Sequence, residues 1–178
     1  AKATSPWIAF LDELSTAPPA VQAALLRAVH EKWVGDTPIP WARFVAASNP
    51  VAESAGGWDL AAPMANRFCH LTWGADTQGW IQGMTAGWDT ELAVKRLGEA
   101  WDTTLWPAKK VLVASFVRTK AHLGLVVPKD EEKQGGAWPS FRTWTMASRL
   151  LAACESCGAG DDVVITLTGG CVGEGAAI

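Results

Sequence analysis

Tyrosine is absent from this chain, and histidine occurs only three times. His30, His70 and His122 have no mutual spacing that suggests a site, so packing or surface roles are expected for each. No uninterrupted apolar stretch approaches the roughly 18 residues that cross a bilayer. The start, Ala1 to Pro6, has no apolar segment behind a basic patch, so a cytoplasmic protein with no membrane partner is expected. Basic residues are not in excess: 15 Lys and Arg face 18 Asp and Glu, a formal charge of −3. That balance argues against a broad footprint for nucleic acid, and no specific nucleic-acid partner is expected. Cysteine is scarce as well. Of Cys69, Cys154, Cys157 and Cys171, only Cys154 and Cys157 have C-x-x-C spacing, and no His or Cys follows closely to complete a zinc site. Two thiols near the end of a helix are therefore expected in preference to a small zinc or redox centre.

What the chain has is apolar mass, 49% of 178 residues, enough for one core or for one and a small second. Eleven tryptophans lie scattered from Trp7 to Trp144 without a repeat, which favours core and interface filling. Trp7 to Leu11 is a short apolar run stopped by Asp12-Glu13, the pattern of a buried strand with acids at its carboxyl end. A helix follows, with Ser15 or Thr16 as cap, Pro18 and Pro19 in the first turn, and Val21, Leu25 and Val29 as an apolar stripe. Trp33 to Pro40 has the Gly-Asp turn of a small hairpin, and Arg43 to Ser48 reads as a second buried strand ended by Asn49-Pro50. A Gly-containing loop, Ala55 to Trp58, a short helix around Ala62 to Asn66 and a weaker strand, Cys69 to Trp73, complete this part.

Beyond Trp73 only helices are expected. One, capped by Thr90, carries Leu92, Val94, Leu97 and Trp101; another starts at Pro107 with Val111, Leu112 and Phe116. Lys129 to Gly136 reads as a polar loop, and Ser140 caps a helix with Phe141, Trp144, Ser148 and Leu151 on one side. Val163 to Leu167 is compatible with helix or strand, ahead of a Gly-rich run from Gly169 to Gly175. The expected architecture is α/β over residues 1–74, followed by a helical domain over 75–178.

An apolar strand ending in Asp-Glu suits phosphoryl chemistry: Asp12 can help hold Mg²⁺, directly or through water, and Glu13 can orient or deprotonate an attacking water. Capping of the next helix by the same acids is an equally simple account. A second strand ending in Ser48-Asn49 shifts the balance, because adjacent strands of an open α/β sheet deliver their carboxyl ends to one crevice. Arg67, before the third expected strand, and Arg142, at a helix start, carry the planar fork that grips phosphate, although a surface salt bridge would account for either alone. The ordered set is the specific feature.

With these landmarks in order, the chain resembles the AAA+ ATPases, and within them the MoxR-like group. Phe10-Leu11-Asp12-Glu13-Leu14 is similar to the Walker B segment, Pro19 to Val29 to the helix behind it, and Phe44 to Pro50 to the sensor 1 strand. The hairpin at Trp33 to Pro40 is similar to the one before sensor 1 in this clade. By resemblance Asn49 is sensor 1, Arg67 the arginine finger and Arg142 sensor 2, while Asn66 stands where many members carry Asp. The fold implied is part of the P-loop αβα sheet with a helical lid. The resemblance further implies ATP and Mg²⁺ as cofactors, with Asp12 supporting the metal through water, Glu13 activating water and Asn49 positioning it. Arg142 would touch nucleotide in cis and Arg67 a neighbour's site in trans, within a self-assembled ring, typically a hexamer. Chaperone-like remodelling or metal and cofactor insertion, with a von Willebrand factor A domain partner, is the function such proteins suggest.

Nothing in the sequence matches G-x-x-x-x-G-K-[ST], the Walker A loop that cradles the β- and γ-phosphates. The chain is accordingly expected to be a piece of a longer ATPase, beginning just before Walker B and also shortened after Ile178. On its own it is expected to bind ATP weakly or not at all. A non-catalytic ring subunit or interaction module is the alternative from a different class.

Overall fold

The computed structural model describes residues 6–49, 57–88 and 96–177. Strand β1 (Trp7–Leu11) pairs in parallel with β4 (Ala42–Ala46), in register from Trp7 opposite Ala42 to Leu11 opposite Ala46. Between them lie helix α1 (Pro19–Glu31) and a hairpin of β2 (Trp33–Val34) with β3 (Thr37–Pro38). The hairpin forms where the Gly-Asp signal placed it, and Gly35 adopts φ 55°, the left-handed conformation a glycine takes without strain.

The first two strands form, the second over Ala42–Ala46 and so ending two residues before the expected Ser48, but burial does not follow. Ile8, Phe10 and Val45 are 69%, 60% and 48% exposed, because this two-stranded sheet has no layer over those side chains among the described residues. The expected Ser15 or Thr16 cap is also replaced. Both residues belong to a 3-10 turn, Leu14–Thr16, in which Thr16 Oγ1 donates to Glu13 O at 2.8 Å, so Pro18 takes the cap position and Pro19 opens α1. The buried side of α1 is Gln22, Ala28 and Val29, while Val21 faces solvent. Gln22 is fully enclosed and satisfied: Nε2 donates to Ala17 O and Asp59 O, and Oε1 accepts from the Ala61 N–H at 2.9 Å. It ties α1 to the chain entering α2 (Ala62–Ala65).

Cys69 to Trp73 is not a strand. The segment is irregular and no strand lies beside it among the described residues; instead the His70 N–H donates to Gly170 O at 2.7 Å, laying it against a helix. A helix absent from the sequence expectations, α3 (Thr77–Ala86), follows, capped by Asp76, whose Oδ1 accepts from the Gly79 N–H at 3.0 Å. Thr90, Leu92 and Val94 lie outside the described residues. Leu97 precedes, and Trp101 begins, a π-helical turn (Trp101–Leu105) that runs into α4 (Trp106–Thr119).

The helical core joins α4, α6 (Phe141–Cys157), α7 (Asp161–Val172) and α8 (Glu174–Ala177) around Val113, Trp144, Ala147, Cys171, Val172 and Ala176. On α4 the inward set is Val113, Phe116 and Val117, three and four residues apart, which turns Val111 and Leu112 to solvent against expectation. Trp144 packs on Phe116 with ring centroids 5.3 Å apart, and its Nε1 donates to Leu123 O at 2.9 Å. Ser140 caps α6 as expected. Its Oγ accepts from the Thr143 N–H at 3.1 Å, while Thr143 Oγ1 accepts from the Ser140 N–H at 2.8 Å, a reciprocal capping box. Phe141, expected on the packed side, is exposed. The polar stretch 129–136 contains a turn of helix, α5 (Glu131–Gln134), pinned by Gln134 Nε2 donating to Pro128 O and Trp138 Nε1 donating to Gln134 O. Val163 to Leu167 is resolved as helix, within α7.

Candidate functional site

Where β1 ends, the backbone turns sharply: Glu13 has φ 51° and ψ 43°, a left-handed conformation that a non-glycine residue seldom adopts. Three bonds hold this turn to the end of β4. The Ala47 N–H donates to Leu11 O and the Leu14 N–H to Ala47 O, both at 3.0 Å, and the Ser15 N–H reaches Ser48 Oγ at 3.2 Å. The Glu13 N–H is taken by Asp12 Oδ1 at 3.1 Å. With the backbone so placed, Asn49 Nδ2 donates to Glu13 Oε1 at 3.2 Å. Two carboxyl groups and an amide from the ends of adjacent parallel strands thus converge, all exposed to solvent.

Chemically, the amide fixes one oxygen of Glu13 and leaves the carboxyl free to orient water, while Asp12 keeps a second oxygen beyond its turn bond. One carboxyl fits Mg²⁺, a hard ion that retains several waters and takes its other ligands from substrate phosphates. Among the described residues no three His, Cys, Asp or Glu side chains cluster into a metal cage. A phosphate cradle is not present in this sequence, so the residues fit the metal-water half of a nucleotide site alone.

The arginines form a second cluster around Asn66. Asn66 is 4% exposed, and its Oδ1 accepts from Ser140 Oγ at 2.7 Å and from Arg142 Nη1 at 3.5 Å. Arg67 Nη1 donates to Pro63 O, whereas the buried Arg67 Nε and Asn66 Nδ2 have no partner among the described residues. Burial first, then the nearby Arg142 charge, lowers the Arg67 pKa. Two guanidinium groups and an amide donor beside a capped helix start suit an anion. No hydrogen bond or ion pair among the described residues joins either arginine to Asp12, Glu13 or Asn49, so the five predicted positions fall into two groups. Asn66 as the hub was not foreseen; its place directly before Arg67 was the available signal.

Cys154 and Cys157 lie in the last turns of α6, where Cys157 Sγ donates to Cys154 O at 3.5 Å. Burial, then the Cys157 charge, pushes the Cys154 thiol up, away from thiolate chemistry. The spacing between Cys69 and Cys171 concealed a closer relation. Cys69 Sγ donates to Leu167 O at 3.4 Å and packs against the core cluster that holds the fully buried Cys171, whose thiol lowers the Cys69 pKa. No family model matches the chain, and no curated protein or solved structure matches it either.

Proposed function

We propose that this chain is part of an AAA+ ATPase of the MoxR-like kind, which couples Mg·ATP hydrolysis to remodelling of, or metal or cofactor insertion into, a partner protein. The observation that carries the proposal is the contact between Asn49 and Glu13 at the carboxyl ends of neighbouring parallel strands, with Asp12 beside it. A water-orienting carboxyl held by an amide, next to a carboxyl suited to Mg²⁺, is what phosphoryl transfer to water needs. The exposed Ile8, Phe10 and Val45 also support it, since parallel sheets are normally covered on both faces. In such an enzyme Asp12 holds Mg²⁺ through water, Glu13 activates water, Asn49 positions it, Arg142 contacts nucleotide in cis and Arg67 acts across a ring interface. An arginine acting in this way is worth about 10³–10⁵ in rate.

The motor needs a phosphate-binding loop that this sequence does not contain, and the test follows from that. The encoding DNA upstream of Ala1 is read for an in-frame G-x-x-x-x-G-K-[ST], and the polypeptide of the whole reading frame is assayed for Mg·ATP hydrolysis. The expected result is turnover that Glu13→Gln abolishes while nucleotide still binds, and that Arg67→Ala abolishes without loss of affinity. Near-native turnover in Glu13→Gln refutes the mechanism. For the 178-residue chain by itself, calorimetry should detect no micromolar Mg·ATP binding. A reading frame without the loop transfers the function to a non-catalytic ring subunit or interaction module, which the exposed Trp73 and Trp80 favour.

A further inference from the structure

Cys69 and Cys171, about 100 residues apart in sequence, meet where the segment after α2 lies on α7. Three observations fix the approach. The His70 N–H donates to Gly170 O at 2.7 Å, Cys69 Sγ lies 3.4 Å from Leu167 O, and a Cβ placed on Gly170 would stand 2.9 Å from Cys69 Sγ. Gly170 thus admits the Cys69 sulfur to the helix surface, one residue from Cys171. His70 Nε2 donates to Ala65 O at 2.8 Å, which anchors the far side of the segment. Cys69 packs against the core cluster to which Cys171 belongs; Cys69 is partly open to solvent and Cys171 is completely enclosed.

We infer that Cys69 and Cys171 form an oxidation site, a thiol pair that a peroxide converts to a disulfide joining the α2 segment to α7. Cys69 is the attacking group, being the member partly open to solvent. The neighbouring Cys171 thiol lowers the Cys69 pKa, and the contact with Cys69, then burial, pushes the Cys171 thiol up. The Cys69 thiolate displaces hydroxide from hydrogen peroxide: an S–O bond forms, the O–O bond breaks and the hydroxide leaves as water with the Cys69 proton. Cys171 then gives up its proton and attacks the Cys69 sulfenic acid. The S–S bond forms, the S–O bond breaks, and a second water departs. Two thiols have lost two electrons, and one peroxide has become two waters. A dithiol reductant reverses the reaction by exchange. Cys154 and Cys157 stand apart from it, held within one helix.

The test is treatment of this chain with hydrogen peroxide, followed by a thiol count after unfolding, intact mass and peptide mapping. Trypsin alone leaves Cys154, Cys157 and Cys171 on one peptide, so cleavage at Asp161 and Asp162 is added to separate them. The expected result is a fall from four thiols to two, a loss of two mass units, and a peptide linking Cys69 to Cys171. The closed loop should raise Tm by about 5–15 °C, reversibly with dithiothreitol. In Cys171→Ser the sulfenic acid at Cys69 should persist long enough for dimedone to trap it. A Cys154–Cys157 link as main product, sulfinic acid at Cys69 without a link, four surviving thiols or an unchanged Tm in the linked protein would each overturn the assignment.

Discussion

Replacing Gly170 by Ala should unfold the chain more readily, and replacing its neighbour Gly169 should do the reverse. A Cβ on Gly170 would lie 2.3 Å from His70 O and 3.2 Å from the carbon that bears it, well inside the 3.3–3.6 Å of an ordinary C···O contact. The obstacle is backbone, so no rotamer change relieves it, and the segment must retreat by about 1 Å. That retreat stretches the 2.7 Å bond from the His70 N–H to Gly170 O beyond hydrogen-bonding range. Overpacking costs about 1–3 kcal/mol and the lost bond about 1 kcal/mol, against a helix-propensity gain of about 1 kcal/mol. The net expectation is a loss of about 1–3 kcal/mol. At Gly169 the nearest atom to a new Cβ is Glu174 Cγ at 3.6 Å, an ordinary contact, so the propensity gain of about 0.5–1 kcal/mol survives. Urea denaturation of both variants, followed by circular dichroism, measures the difference. Gly170→Ala matching the parent in stability, or Gly169→Ala falling with it, would refute the close approach on which the thiol pair depends.

Ser140→Ala removes a reciprocal cap and one of the donors to buried Asn66, and should cost about 1–3 kcal/mol in the same titration; a loss below a few tenths would remove Ser140 from the joint. Trp144→Phe keeps an aromatic ring against Phe116 but leaves Leu123 O without its indole donor, for a loss of about 1–3 kcal/mol, whereas Trp73→Ala at a 95% exposed position should stay within about 0.5 kcal/mol. Equal effects in those two variants would contradict the burial described. Burial, and then the Arg43 charge, holds the Lys32 ammonium below the ordinary lysine value of 10.5, so the folded state releases that proton before the unfolded chain does. Stability of the parent relative to Lys32→Met should therefore rise as pH climbs toward 10.5, and a flat or falling difference in urea midpoints would refute it.

Strand ends and helix starts were legible because each is written in a few adjacent residues. Asp12-Glu13 ends the first apolar run and Ser140 caps α6 where expected, while the second strand stops at Ala46, two residues before the expected Ser48. What escaped was decided by residues distant in sequence. Cys69 to Trp73 alternates like a strand, yet a helix with a bare position at Gly170 lies beside it, and a backbone donor goes to Gly170 O. Helix α3 carries Gly79 and Gly83, which weaken its propensity; Asp76 caps its start, and the Trp88 ring lies so close to Gly83 that a Cβ there would stand 2.5 Å from it. Gln22 lies outside the apolar stripe expected on α1 and is interior because its side chain meets carbonyls at 17 and 59 and the N–H at 61. In the candidate site, Glu13 beside Asn49 followed from strand order, whereas the meeting of Asn66 with Arg142 depended on the start of α6 reaching the residue that ends α2.

The register of β1 against β4 has a consequence for the order of events during synthesis. Each residue of β1 meets a partner made 35 residues later, so at about 5–20 residues per second the first strand waits roughly 2–7 s for the second to be added. Throughout that interval Ile8 and Phe10 have no strand beside them, and the intervening hairpin, being antiparallel and local, closes first. The hazard for this chain is therefore set by the pace of the ribosome between Asp12 and Ala46. Anything that slows translation there lengthens the time during which an apolar strand is offered to other nascent chains, whatever the stability of the finished fold.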